Sequence, residues 1–313
     1  MSLRTRLNRV TGAPASESHI VGEEASTSNS SNQDIRSETV ASNNPNEAIQ
    51  DLSNAIRERS TEGSPNRSAQ PAIAVNSVSK HYEGTVVFDE LTLEVADGEF
   101  LCLLGPSGCG KTTLLHMLAG IESPTGGEIR AYGDPVTGPD YRRGVVFQKP
   151  LLYPWLSVRA NVALGARLRG EKPDDERVER LLELVGLAEV GDARPESLSG
   201  GMAQRASLAR TLANDPELLL FDEPFSALDE LTKRTLQDEI RQTVDRFDLT
   251  AVFVTHDIEE AIYLGDRVVV LGTDGTGIAG IESVEGVGRP HEDPDSLTHR
   301  RRIVELLGVD DDQ

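Results

Sequence analysis

The run Gly105-Pro106-Ser107-Gly108-Cys109-Gly110-Lys111-Thr112 constrains this chain more than any other stretch, because it fits G-x-x-x-x-G-K-S/T between an apolar strand and a helix start. Phe100-Leu101-Cys102-Leu103-Leu104 precedes it, and Thr113-Leu114-Leu115-His116-Met117-Leu118 comes after. Glycines at these positions let backbone NH groups wrap a phosphate, and the helix N-terminus adds about half a positive charge. In such a cradle Lys111 neutralises β- and γ-phosphates, the Thr112 hydroxyl ligates Mg²⁺ and Thr113 opens the helix behind them. Cys109 contributes a backbone NH, and its thiol is assigned no chemistry.

Leu218-Leu219-Leu220-Phe221-Asp222-Glu223 is an apolar strand that ends in two carboxylates, projected toward a ligand at its carboxyl end. An acidic pair after a strand also serves as a helix cap. With the phosphate cradle upstream it takes a second meaning: Asp222 holds Mg²⁺, and Glu223 orients and deprotonates an attacking water.

The remaining pattern is that of an α/β protein. Ala251-Val252-Phe253-Val254 has the length of a buried parallel strand, while Val178, Leu181, Leu182 and Val185, then Leu236, Ile240 and Val244, recur at helical spacing. Strands alternating with helices predict a mostly parallel sheet covered on both faces. No motif repeats, so one chain carries one nucleotide site. This folded region is expected over 71–275. Residues 1–70, rich in Ser, Asn, Glu, Thr and Pro beyond Ala13, read as a disordered tail; Ala48, Ile49, Leu52, Ala55 and Ile56 could form one apolar face of a short helix within it.

Leu198-Ser199-Gly200-Gly201-Met202-Ala203-Gln204-Arg205 adds Ser199, Gly200 and Gly201 at a helix start, a second anion site for which a single cradle has no need. This run resembles the signature motif of ABC ATPases. The resemblance extends over residues 72 to about 275, and it implies a RecA-like P-loop core with an inserted helical subdomain from about Gln148 to Arg205. It also implies that Tyr82 stacks on adenine, that Gln148 senses Mg²⁺ and water, that Ser226-Ala227-Leu228-Asp229 crosses a dimer interface and that His256 contacts the γ-phosphate. Two copies then enclose ATP, each supplying Ser199-Gly200-Gly201 to the other. Gln148-Lys149-Pro150-Leu151-Leu152-Tyr153-Pro154-Trp155, with Gly138-Pro139-Asp140 and Leu228-Asp229-Glu230-Leu231-Thr232, is similar to importer ATPases for nitrate, sulfonate, taurine and thiol precursors, although Lys149 stands where an acidic residue or Asn is commoner.

Composition sets the surroundings. The 313 residues carry 52 Asp and Glu against 31 Lys and Arg, a formal charge of -21 that disfavours nucleic acid as a partner. Such a surface serves solubility, or, given that only Lys80, Lys111, Lys149, Lys172 and Lys233 are lysines, the molar salt of a halophile's cell. Cys102 and Cys109 suggest reduced thiols rather than a disulfide framework. No run of about 18 apolar residues occurs, so the chain is not expected to span a membrane; the resemblance implies that it sits on the cytoplasmic face, held by permease subunits that an external solute-binding protein serves. The 276–313 segment is expected as a short C-terminal extension, and a soluble ABC-type ATPase uncoupled from transport is the alternative reading.

Overall fold

The computed structural model describes residues 70–226, 228–272, 277–284 and 294–308. The tail through Arg67, Ser68 and Ala69, including its apolar face at Ala48 to Ile56, lies outside them.

The chain opens with a hairpin. β1 (Ile73–Tyr82) pairs antiparallel with β2 (Thr85–Val95) across Glu83 and Gly84, whose φ values of 35° and 91° suit a two-residue turn between right-twisted strands. β3 (Phe100–Leu104) leads through the glycine loop into α1 (Lys111–Ala119). β4 (Gly126–Ala131) and β5 (Asp134–Pro135) return to the hairpin and complete an antiparallel sheet in the order β2-β1-β4-β5. Between β6 (Arg143–Val146) and β7 (Leu218–Asp222) the chain is helical: α2 (Val158–Val162), α3 (Leu164–Leu168), α4 (Asp175–Leu184) and α5 (Gly200–Leu212). α6 (Glu230–Phe247), β8 (Thr250–Thr255), α7 (Ile258–Leu264), β9 (Arg267–Leu271), β10 (Ile278–Ser283) and α8 (Pro294–Leu307) complete the order.

The second sheet has the order β10-β9-β3-β8-β7-β6, and all its neighbours are parallel except β10 against β9. Its inner strands β3, β7, β8 and β9 are apolar runs because both faces are covered. Leu101, Leu103, Leu218, Leu220, Val252 and Val254 pack with α1 and the antiparallel sheet on one face. Phe100, Cys102, Leu219, Phe221, Ala251 and Phe253 pack on the other with α4, α5, α6 and α7. The Phe253 ring lies 5.3 to 6.2 Å from those of Phe225, Phe221 and Phe100, within the range of favourable aromatic contact.

The antiparallel sheet stands beside the mostly parallel sheet that the alternation of strands and helices predicts. Register shifts between Val75 and Val78 and between Val78 and Lys80 break the alternation of β1, so its burial does not keep a two-residue period. The expected extension supplies an edge strand and a helix: Gly280 of β10 leaves room for Leu306 of α8, whose Cδ2 would lie 2.2 Å from an added Cβ.

Candidate active site

Four neighbouring parallel strands bring their carboxyl ends to one edge of the sheet, the place where open α/β sheets bind ligands. Leu104 pairs with Thr255, Asp222 with Val254 and Val146 with Phe221. The residues just after these pairs are the glycine loop, His256, Glu223 and, two beyond Val146, Gln148.

The glycine loop is held open from beneath. Gly110 has φ 100°, and an added Cβ would fall 2.5 Å from the Phe88 ring and 2.7 Å from Val87, so only glycine fits between α1 and β2. Lys111 is buried, and its Nζ donates to the carbonyls of Gly105 (2.7 Å) and Pro106 (3.0 Å), bridging the mouth of the loop. Pro106, Ser107 and Gly108 are exposed, whereas Cys109 is buried and burial pushes its thiol up despite the nearby Lys111. α2, α4, α5, α6 and α7 each start with a side chain that accepts from their own first turn; α1 starts on Gly110 with no such cap and no acid in its first turn. A lysine at the positive end of an uncapped helix adds to an unbalanced field that an anion neutralises.

Beside the loop, Thr112 Oγ1 donates to Asp222 Oδ1 at 2.9 Å, which pairs a hydroxyl with a carboxylate at the exposed edge. Both are hard oxygen donors suited to Mg²⁺. Glu223 takes φ 42°, a left-handed conformation uncommon outside glycine, while its NH donates to Val254 O at 3.1 Å. Its Oε2 lies 3.2 Å from Nδ1 of the exposed His256. Gln148 Nε2 donates to Ser226 Oγ at 2.9 Å, joining the end of β6 to the loop after Glu223.

Tyr82 ends β1 at the hairpin tip, 41% exposed. Its hydroxyl donates to Glu122 and neighbours Thr113, and the Lys80 Nζ lies 4.8 Å from its ring centroid. Lys80 is buried and also donates to Ser123 O at 2.8 Å and pairs with Glu122 at 3.0 Å. Partial burial raises the Glu122 carboxyl, but the hydrogen bonds from Tyr82 and Lys80 outweigh it and hold it below the usual range. Lys80 and Glu122 escape a reading of the sequence because nothing but folding brings positions 42 residues apart together.

Ser199, Gly200 and Gly201 lie elsewhere. Ser199 caps α5, its Oγ accepting from Met202 N at 3.3 Å, and retains its own hydroxyl proton to donate. An added Cβ would meet Leu228 at 3.5 Å from Gly200 and Thr232 at 2.5 Å from Gly201, so this loop packs on the start of α6. The cradle packs instead on β2, Leu271 and Asp222. The buried Gln204 of α5 donates to Phe147 O at 3.0 Å, tying α5 to the residue before Gln148.

The segment after Gln148 is fastened from below and bare above. Arg210 donates to the carbonyls of Leu151 (2.7 Å) and Pro150 (3.0 Å), and the fully buried Asn161 accepts from Tyr153 N at 2.8 Å. Leu151, Tyr153 and Trp155 remain exposed, the last at 67%, with the two rings 5.4 Å apart edge to face.

Known proteins share this fold. The ABC transporter family model matches residues 88–226. Over 241 residues the chain is 44% identical to the aliphatic sulfonates import ATP-binding protein SsuB 2 of Burkholderia cenocepacia, covering 76% of this chain and 88% of that one. Over 215 residues it is 47% identical to the bicarbonate transport ATP-binding protein CmpC of Synechococcus elongatus, covering 67% of this chain and 32% of that protein. A dimeric, post-hydrolysis structure of the ATP-binding cassette MJ0796 with ADP and Pi matches at TM-score 0.61 and 30% identity, covering 69% of this chain and 100% of that one. The chain belongs to the ABC transporter family, as one of its ATP-binding proteins.

Proposed function

We propose that two copies of this chain enclose ATP between them and that its hydrolysis drives a membrane permease importing a small solute. The observation that carries this reading is the pair of helix N-termini: one uncapped beside Lys111, the other at Ser199-Gly200-Gly201, packed on α6 rather than on the cradle. A second copy supplies the second terminus to the first copy's nucleotide.

In this reading the adenine stacks on the exposed ring of Tyr82, and the phosphates lie in the loop from Gly105 to Thr113, on the NH groups of all but Pro106, with Lys111 over their charge. Thr112 and Asp222, with Gln148 beside them, would hold Mg²⁺, which would supply neutralisation of phosphate charge. Glu223 takes the proton of the attacking water. His256, within reach of Glu223, donates to the γ-phosphate. Ser199 of the opposite copy donates from the other side while its oxygen still caps α5.

Among the described residues no helix is long and apolar enough to cross a membrane. The chain attaches to the cytoplasmic face through the permease, whose helix docks on Leu151, Tyr153 and Trp155. These side chains form an exposed apolar group on a backbone that Arg210 and Asn161 keep in place. Nucleic acid has no part in this cycle. Sulfonate and bicarbonate, named for the two relatives, are both small oxyanions, which supports nitrate, sulfonate, taurine or a related solute.

Pairing is tested with Glu223→Gln, which holds ATP without consuming it. Its mass in solution doubles on adding ATP, and Ser199→Glu, which sets a carboxylate against the phosphate, abolishes the doubling. A mass indifferent to ATP contradicts the two-copy site.

A further inference from the structure

His256 is exposed and carries one side-chain contact of note, to Glu223, so its direction depends on the backbone that holds it. That backbone is tied on both sides. On one side, Thr255 donates through Oγ1 to Glu260 and accepts from the NH of Asp257 at 3.0 Å. On the other, Asp257 caps α7, its Oδ1 accepting from Glu259 N at 2.9 Å and Glu260 N at 3.4 Å. Lys233, from the first turn of α6, closes the network: its Nζ lies 2.6 Å from Asp257 Oδ2 and 2.7 Å from Glu260 Oε1. The adjacent Thr232 packs on Gly201, so the turn that reaches toward His256 also carries the second anion loop.

We infer that Lys233 is a positioning residue for His256: by bridging Asp257 and Glu260 it fixes the chain on both sides of the imidazole and holds the ring beside Glu223. The inference rests on the proposed role of His256 at the γ-phosphate. The network is desolvated enough to matter, with 16% of the Lys233 side chain and 9% of that of Glu260 exposed. Burial pushes the Glu260 carboxyl up; at Asp257 Lys233 and the backbone NH groups outweigh burial and hold it down. Without the ammonium, two carboxylates face each other with nothing between them, and the Thr255–Asp257 turn relaxes.

The test is steady-state ATP hydrolysis by the full chain. Lys233→Met lowers kcat between about tenfold and a hundredfold, the scale set by misplacing a reacting group by about 1 Å, while KM for ATP stays within about twofold. Asp257→Asn keeps a cap and loses the ion pair, and it shows the same split; Lys233→Arg restores most of the turnover. Arg241→Met is the stability control. It removes a cation from the same helix, one bonded to Leu264 O at 2.7 Å and Asp266 at 2.9 Å, and it leaves kcat in place. An equal loss of kcat in Arg241→Met reduces the effect to a softened α6 and overturns the inference. Normal turnover in Lys233→Met and Asp257→Asn, beside an impaired His256→Ala, overturns it while leaving the role of His256 intact. Normal turnover in His256→Ala removes that role and the inference with it.

Discussion

Lys111→Ala loses ATP binding. The ammonium is buried and already spans the loop through the carbonyls of Gly105 and Pro106, so the free protein spends no further side-chain entropy to place it for a phosphate. Truncation removes that charge and strands both carbonyls. Cutting one partner from a buried, hydrogen-bonded charge pair costs about 2–5 kcal/mol, which here means an affinity loss of at least about thirtyfold. Isothermal titration with ATP reads the effect directly, and thermal melting without nucleotide separates it from misfolding. Binding within about twofold of the parent chain would mean that phosphates sit elsewhere.

Glu223→Gln separates binding from chemistry. Glutamine matches the shape of glutamate and accepts the same left-handed backbone and NH bond to Val254, but it cannot take a proton from water. Turnover falls by about 10²- to 10⁴-fold, the usual contribution of a general base, while ATP affinity is kept. Phosphate release and equilibrium binding on one preparation provide the comparison. Hydrolysis within about threefold of the parent would shift the base to another group, with His256 next in line at 3.2 Å.

Both variants touch parts that the amino-acid sequence declares openly. Gly105 to Thr112 and Leu218 to Glu223 are legible because a strand covered on both faces is an unbroken apolar run, and the glycines or carboxylates beyond its carboxyl end stand out against it. β1 is obscure for the opposite reason: shifts at Val78 and Lys80 change which residues face the core, so Tyr82 at its end is placed by resemblance and not by pattern. The left-handed Glu223 and Leu151 give no signal either, since neither residue type favours that conformation. Lys80 with Glu122, Arg210 beneath Leu151 and Lys233 between Asp257 and Glu260 are contacts between distant positions made of common residues. Each supports a residue that the motifs name, and each becomes visible only when strands and helices are in place.

The most direct test of the whole account is ATP hydrolysis by the chain alone and then with its permease in lipid vesicles. A rate that rises on adding the permease, and rises again with solute-loaded binding protein outside, is the result expected of an importer's ATPase. A rate indifferent to any permease, from a chain that stays soluble and active by itself, would contradict coupling and make this a soluble ATPase built on the same fold.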